Sequence, residues 1–256
     1  MKLKVKFKQL LIILFITIIA FPFNNVYANN EPTIYSKAAI AIDADNMNII
    51  YGKNMDSKVY PASITKIMTA ILAIENLDLN ETITVSKTAV QIPWDSSSMY
   101  LKAGEIVTVE EVLYGLLLSS GNDAANVLGE AVSGNISDFV VLMNNKAKEL
   151  GCTGTNFVNT HGYTHNNHYT TPIDIARIFS YCVKNETFLK IISTKLYIVD
   201  ETNKTNEKRY MYNTNRLILT KKESQHARFY EPAIGGKTGY TEQAGRTLVS
   251  IAEKDG

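Results

Sequence analysis

Cysteine is scarce in this 256-residue chain: Cys152 and Cys182 are the only two. No Cys/His spacing matches a zinc site, which removes the small zinc-held folds from consideration. Export would permit a disulfide, but sequence separation fixes no geometry, and two unpaired, buried thiols are the expectation. Proline is sparse as well, with six residues. No Pro-rich linker, low-complexity tract or internal repeat divides the chain, which excludes solenoids and beads on flexible strings. There is no block of like charge to serve as a polyelectrolyte tail. The hydrophobic content of 45% and charged content of 20% are those of an ordinary globular protein.

Long apolar runs are also missing, apart from one at the start. Lys2, Lys4, Lys6 and Lys8 precede the run Leu10 to Phe21, which only Thr17 interrupts and Pro22 ends. It is too short for a permanent bilayer span. Val26-Tyr27-Ala28 then supplies compact residues at a signal-peptidase site, so residues 1–28 are expected to be a cleaved leader. An uncleaved N-terminal anchor is the alternative. No cysteine follows the run, which argues against a lipoprotein. The leader takes four lysines and no acid with it, so the formal charge falls from +1 to −3. A weakly acidic mature chain argues against a nucleic-acid partner.

Residues 29–33 read as a short leader to the domain, and 34–256 as the domain itself. Two β-rich runs flank Asp43-Ala44-Asp45-Asn46, the chemistry of a hairpin turn. Ser63 to Leu77 has apolar residues at helical spacing. Thr108 and Glu111 form a capping box that opens a second helix. Further helices are expected from near Asn122, from about Ile136 to Leu150, and from Thr171-Pro172, with proline at the first helical position. Residues 195–217 read as strands around Asn203-Lys204-Thr205-Asn206. AIGGKTGYT and GRTLVSIAE read as an antiparallel pair turning at Glu242-Gln243-Ala244-Gly245. Strand pair, helices, strand pair predicts an α+β fold: one antiparallel sheet built from both chain ends, with a helical cluster inserted.

Three short motifs follow one another: Ser63-Ile64-Thr65-Lys66, Ser120-Gly121-Asn122 and Lys237-Thr238-Gly239. Each alone is weak, since a surface lysine or an ordinary strand end explains it equally well. Their order and settings carry more. On a helix, positions i and i+3 share a face, so the Lys66 amine reaches the Ser63 hydroxyl. A serine needs a base before it becomes a nucleophile. Lysine is such a base only when neutral, and burial beside a second cation favours that state. Lys237 is the candidate for that cation. Glycines around Lys237 and Thr238 mark a strand that another backbone or a ligand approaches closely. His161, His165 and His168 cluster in the polar stretch THGYTHNNHYT and read as a solvated or structural loop rather than as metal ligands.

The motif set S-x-x-K, S-x-N and K-T-G resembles that of penicillin-binding proteins and class A β-lactamases. YPASITKIMTA, SSSMYLKAGE, LLLSSGNDAAN, NFVNTHG, NHYTTPID and GGKTGYTEQAG extend the resemblance, over roughly residues 34–256, to the low-molecular-mass D-alanyl-D-alanine carboxypeptidases, serine peptidases of the S11 type. That resemblance implies a β-lactamase/transpeptidase-like fold and a set of roles. Ser63 would attack the carbonyl of the penultimate D-alanine, with Lys66 as general base. Backbone N–H groups of Ser63 and Tyr240 would form the oxyanion hole. Ser120 would relay a proton to the leaving D-alanine, and Asn122 would hold the acyl part. Lys237 and Thr238 would bind the terminal carboxylate, with Gly239 between them and Tyr240. Arg246 either assists or is a solvent-facing strand residue. The implied partners are peptidoglycan stem peptides ending in D-Ala-D-Ala, with β-lactams as inhibitors, outside the cytoplasm. No metal or organic cofactor is implied.

The family's domain continues with one more strand and a C-terminal helix, and many members add a β domain and a membrane-anchoring helix. The chain stops at Gly256, so an incomplete domain without an anchor is expected. The rival readings are a β-lactamase, for which the deacylating E-x-x-L-N pattern is missing, a D,D-endopeptidase with the same chemistry, and an inactive wall-binding protein on the same scaffold.

Overall fold

The computed structural model describes residues 32–254. The expected leader, residues 1–28, and its expected cleavage site lie outside the described residues. Residues 32–35 carry no regular secondary structure and belong to a separate unit from the one that begins at Ser36.

The second unit opens with a hairpin, β1 (Ala39–Ile42) and β2 (Ile49–Lys53), paired antiparallel. Asp43 fixes its turn, accepting from Asp45 N and Asn46 Nδ2. A 3-10 turn, Ala62–Thr65, then runs into α1 (Lys66–Asn76). Every residue of α1 from Lys66 to Ala73 is buried. A helix that is apolar nearly all round belongs at the centre of a fold, and α1 packs against helices on several sides. β3 (Thr82–Thr84) and β4 (Ile106–Thr108) form a three-residue ladder that the sequence did not signal. Strands this short leave no alternation to read.

α2 (Val109–Leu117) begins at the expected capping box: Glu111 N donates to Thr108 Oγ1 at 3.2 Å, and Thr108 N donates to the Glu111 carboxylate at 2.8 Å. α3 (Asn122–Ser133) follows after four residues, and α4 (Ile136–Glu149) after a turn in which Gly134 takes φ 75°. α4 buries Phe139, Met143 and Ala147, one four-residue stripe, against α3. α5 (Pro172–Cys182) has Pro172 at its start and Thr171 as its cap. α6 (Glu186–Ser193), capped by Asn185, was not foreseen; it turns Phe188, Ile191 and Ile192 into the core.

β5 (Leu196–Val199) and β6 (Arg209–Tyr212) form a third antiparallel pair, and β7 (Ala233–Thr241) with β8 (Gly245–Ala252) the fourth and longest. The α+β class and the order strand pair, helical cluster, strand pair are as expected. Backbone pairing is more divided. Among the described residues the hydrogen-bonded ladders are four separate pairs, and β1 is not laddered to β8. α5 packs against both β1 and β8, so a helix surface gathers the two chain ends where continuous pairing was expected. Cys152 and Cys182 are free and buried, as expected. Burial pushes the Cys152 thiol up to about 12 and the Cys182 thiol up as well, so both are inert at neutral pH.

Candidate active site

Ser63 lies in the 3-10 turn rather than in α1 itself, and Lys66 is the first residue of the α-helix. In a 3-10 turn residues i and i+3 lie directly above one another. The Lys66 Nζ to Ser63 Oγ distance is accordingly 3.0 Å. Lys66 is completely buried. It donates two more hydrogen bonds, to Asn122 Oδ1 at 2.7 Å and to the His161 carbonyl at 2.9 Å. An amide oxygen and a carbonyl can only accept, whereas a hydroxyl can also donate. A neutral amine therefore gives its two N–H groups to Asn122 and His161 and turns its lone pair to the Ser63 hydroxyl. The lysine is pushed towards that neutral state. Burial first, then the Lys237 charge, holds its pKa well below the ordinary value, and Asp123 pulls weakly the other way.

The second motif closes the other side. Asn122 N donates to the Ser97 carbonyl at 2.8 Å, which seats the start of α3 on the loop 97–101. Asp123 organises that loop. Its buried carboxylate accepts from Met99 N, Leu101 N, Ala124 N and Ser98 Oγ at 2.7 to 3.0 Å. Ser120 is buried and held in the left-handed region at φ 63°, a conformation costly for a residue with a Cβ. Its hydroxyl has no hydrogen-bond partner among the described residues, neither lysine's amine included.

The histidine stretch is a wall of the site on its inner side: His168 is buried and His161 half-buried, whereas Tyr163, His165, Asn166 and Asn167 are exposed. His168 is buried; its Nδ1 accepts from Val158 N at 3.1 Å, which leaves the proton on Nε2 for Thr65 Oγ1 at 2.9 Å. Burial lowers its pKa to about 4, and burial together with Lys66 lowers that of His161 to about 3. Gly162 takes φ 87°, and any Cβ there would run into the Ala62 carbonyl, so the loop presses on the residue before Ser63. Among the described residues no group of three or more His, Cys, Asp or Glu side chains is arranged to hold a metal ion.

The third motif comes from β7. Gly239 faces the nucleophile: a Cβ there would lie 2.8 Å from Ser63 N. Thr247 of β8, opposite Gly239, donates to the Pro61 carbonyl and ties the hairpin to the 3-10 turn. Lys237 is completely buried, and burial lowers its pKa to about 7. Among the described residues its Nζ makes one hydrogen bond, to the adjoining Thr238 carbonyl at 2.8 Å. Thr238 Oγ1 lies 2.6 Å from Thr214 Oγ1. The Tyr240 side chain is exposed, and Arg246, its partner in the ladder, lies over its ring on the solvent side.

The structure thus brings Ser63, Lys66 and Asn122 into one hydrogen-bonded cluster and sets Gly239 against Ser63. Sequence reasoning missed Asp123, the His161 carbonyl, Gly162 and the Thr69–Thr160–Asn126 chain beneath them, in which Thr69 Oγ1 donates to the Thr160 carbonyl and Thr160 Oγ1 to Asn126 Oδ1 at 2.7 Å. One signal was present: Lys66 and Thr69, and likewise Asn122 and Asn126, are polar residues one turn apart in apolar helices, a pattern of side chains that need buried partners.

Residues 25–256 match the family described as D-alanyl-D-alanine carboxypeptidase, peptidase S11. The carboxypeptidase DacF of Bacillus subtilis (strain 168) is 37% identical over 225 residues, 86% of this chain and 54% of the relative. The D-alanyl-D-alanine carboxypeptidase of Streptomyces sp. (strain K15) is 34% identical over 242 residues, 90% of this chain and 80% of the relative. The chain thus spans about half the length of the first of these and four fifths of the second. Among solved structures, the D-alanyl-D-alanine carboxypeptidase of Mycobacterium tuberculosis H37Rv superposes with a TM-score of 0.78 at 31% identity, covering 88% of this chain and 80% of that one. The Streptomyces K15 DD-transpeptidase gives 0.77 at 32% identity, covering 88% and 87%. With these matches and the Ser63–Lys66 cluster together, the chain belongs to the D-alanyl-D-alanine carboxypeptidase family, peptidase S11, on the penicillin-binding fold.

Proposed function

We propose that the chain is an exported serine D,D-carboxypeptidase, with residues 1–28 as a cleaved leader and 34–256 as the catalytic unit. It removes the terminal D-alanine from peptidoglycan stem peptides through an acyl-enzyme on Ser63. The observation that carries this reading is the threefold hydrogen bonding of the buried Lys66 amine, which aims it at the Ser63 hydroxyl.

Lys237 and Thr238 receive the substrate's terminal carboxylate. Gly239 allows the substrate backbone to lie against β7. Ser63 Oγ attacks the carbonyl carbon of the penultimate D-alanine as its proton passes to Lys66 Nζ. The oxyanion forms between the N–H groups of Ser63 and Tyr240, a type of stabilisation that is usually a large part of such catalysis. The C–N bond then breaks. A proton from Lys66 or Lys237, relayed by Ser120, completes the leaving amine of D-alanine. Asn122 Oδ1 is committed to Lys66, so its Nδ2 is the group left to hold the acyl part. Water, deprotonated in the same way, attacks the ester and returns Ser63. A penicillin acylates the same oxygen when its strained amide opens.

The test is to incubate the purified chain and a Ser63→Ala variant with a fluorescent penicillin and to read covalent label by intact mass. Lasting label on the wild type that is lost in the variant is expected. Rapid loss of label with penicillin hydrolysis would make the protein a β-lactamase. No label on a folded wild type would overturn the assignment. The N-terminus of the exported form, read by mass in a bacterial host, is expected at Asn29.

A further inference from the structure

One arginine outside the reacting cluster is buried and only half used. Arg209 opens β6, and its side chain is 10% exposed. Its Nη2 donates to Glu105 Oε1 at 2.6 Å and, over a longer 3.4 Å, to the Tyr100 carbonyl. Its Nη1 is buried and has no hydrogen-bond partner among the described residues. An arginine that served stability alone would meet its carboxylate fork to fork, with both terminal nitrogens engaged. Here one nitrogen serves two acceptors and the other has none, a cost that buried donors normally avoid. The guanidinium is turned so that it reaches the Tyr100 carbonyl.

Glu105 is the post to which this region is tied. It is fully buried, and it also accepts from Lys102 N and from Thr202 Oγ1, each at 2.8 Å. Asn203 braces the same turn, donating to the Gly104 carbonyl at 2.9 Å and accepting from Ile106 N at 2.8 Å. Arg209 and the turn that leads to it from β5 thus grip residues 100–106. What they grip is a strained loop. Tyr100 has φ 61°, a left-handed conformation that is unfavourable for a bulky residue. Such a conformation persists only where its surroundings over-determine it. On the inner side those surroundings are the Asp123 carboxylate, which accepts from Met99 N and Leu101 N. On the outer side they are Arg209 and Glu105. The same loop supplies the Ser97 carbonyl that accepts from Asn122 N, and Asn122 Oδ1 accepts from Lys66. A line of contacts therefore runs from Arg209 through the loop and Asn122 to the Lys66 amine.

We propose that Arg209 is a positioning residue for the reaction at Ser63: with Glu105 it holds the strained 97–101 loop, and that loop seats Asn122 so that Lys66 points at the serine hydroxyl. The part given to Lys66 rests on the carboxypeptidase reading above. The proposed role is directional, because the far end of β6 is pinned separately. Asn213 Nδ2 donates to the Ile192 and Thr194 carbonyls at 3.0 and 2.8 Å, and Thr214 beyond it meets Thr238. Loss of Arg209 disturbs the base and leaves the carboxylate receptor in place.

The experiment uses the double variant Glu105→Gln/Arg209→Met. Arg209→Met alone would strand a buried carboxylate, which is destabilising in itself; the double variant removes both charges. For D-alanine release from a tripeptide ending in D-Ala-D-Ala, kcat is expected to fall about 10- to 100-fold, the scale of a reacting group displaced by about 1 Å, with KM little changed. Acylation of Ser63 by a fluorescent penicillin should slow by a similar factor. Hydrogen exchange in peptides covering residues 97–123 should be faster than in the wild type. Arg209→Lys, which keeps a cation for Glu105 at shorter reach, is the second variant and should show the same split between kcat and KM at smaller size. Met143→Ala, a cavity in α4, lowers stability without touching this line of contacts and should leave kcat unchanged. Wild-type kcat and exchange in a folded double variant overturn the positioning role, as does a loss confined to KM or an equal loss of kcat in Met143→Ala. A folded wild type that neither takes label nor releases D-alanine overturns the carboxypeptidase reading, and the exchange comparison then still decides whether Arg209 holds the loop.

Discussion

The two walls of the active site are built to opposite specifications. On the helical wall every donor of Lys66 is engaged, and Asp123, His168, Thr160 and Asn126 are each hydrogen-bonded behind it. On the strand wall Lys237 is just as buried, yet among the described residues its amine has one partner, the carbonyl next door. A lysine with all its donors committed moves a proton in a fixed direction. A lysine with donors to spare, buried where its charge is poorly solvated, gains most from an arriving anion. On the proposed mechanism one residue type does two jobs because the number of its partners differs.

The comparison breaks most visibly at Lys66. Lys66→Met should lower the rate of Ser63 acylation by about a thousandfold, the usual scale for a positioned general base. Stopped-flow labelling with a fluorescent penicillin measures it, and a loss below tenfold would show that the helical wall does not hold the base. Gly162→Ala tests how that wall is positioned. Its Cβ would strike the Ala62 carbonyl and would force an alanine to φ 87°. A loss of at least about 3 kcal/mol is expected in urea unfolding, in line with clashes at special backbone positions.

His168 gives the third test. Its pKa falls from about 6.5 unfolded to about 4 folded, so the unfolded chain binds more protons in between. Stability is full above pH 6.5 and declines as pH drops towards 4, by about 3 kcal/mol for this group. His168→Gln should flatten that slope in pH-dependent melts. The smallest effects belong to the strand wall. Lys237→Gln should weaken binding of carboxylate-ended peptides about 10- to 100-fold, the range of a charge-assisted hydrogen bond, and should affect an amidated peptide much less. Lys237 is lowered to about 7 by burial. In the free enzyme carboxylate capture should therefore decline as pH rises through that value, and this limb should vanish in Lys237→Gln.

Most of the groups proposed to react were legible in the sequence because each sits in a short motif with a local geometric meaning. Ser63 and Lys66 are one turn apart, and Lys237 to Tyr240 are consecutive on a strand. The supporting groups were illegible for a physical reason. His161 contributes a backbone carbonyl, which has no residue signature, and it meets Lys66 across 95 positions. Asp123 works through backbone N–H groups of a loop more than twenty residues earlier. The histidine stretch was read as a solvated or structural loop, and His168 takes the structural part: it is buried, because polar groups that satisfy one another can be. In the fold, α6 was hidden by its brevity, and the separation of the two end hairpins is a matter of long-range pairing that local pattern cannot set.

The partners of Lys66 also bear on how the molecule reaches its native state. Asn122 and His161 are 56 and 95 residues away from it along the chain, and Gly239, against Ser63, is farther still. Contacts this distant carry a high loop-closure cost and are characteristic of slow folding. An intermediate that has formed only its local helices would hold Ser63 and Lys66 together and would still lack the acceptors that orient the amine. Covalent labelling of Ser63 is then a clock for the last long-range closures, and in a refolding experiment it should lag behind the recovery of helical circular dichroism.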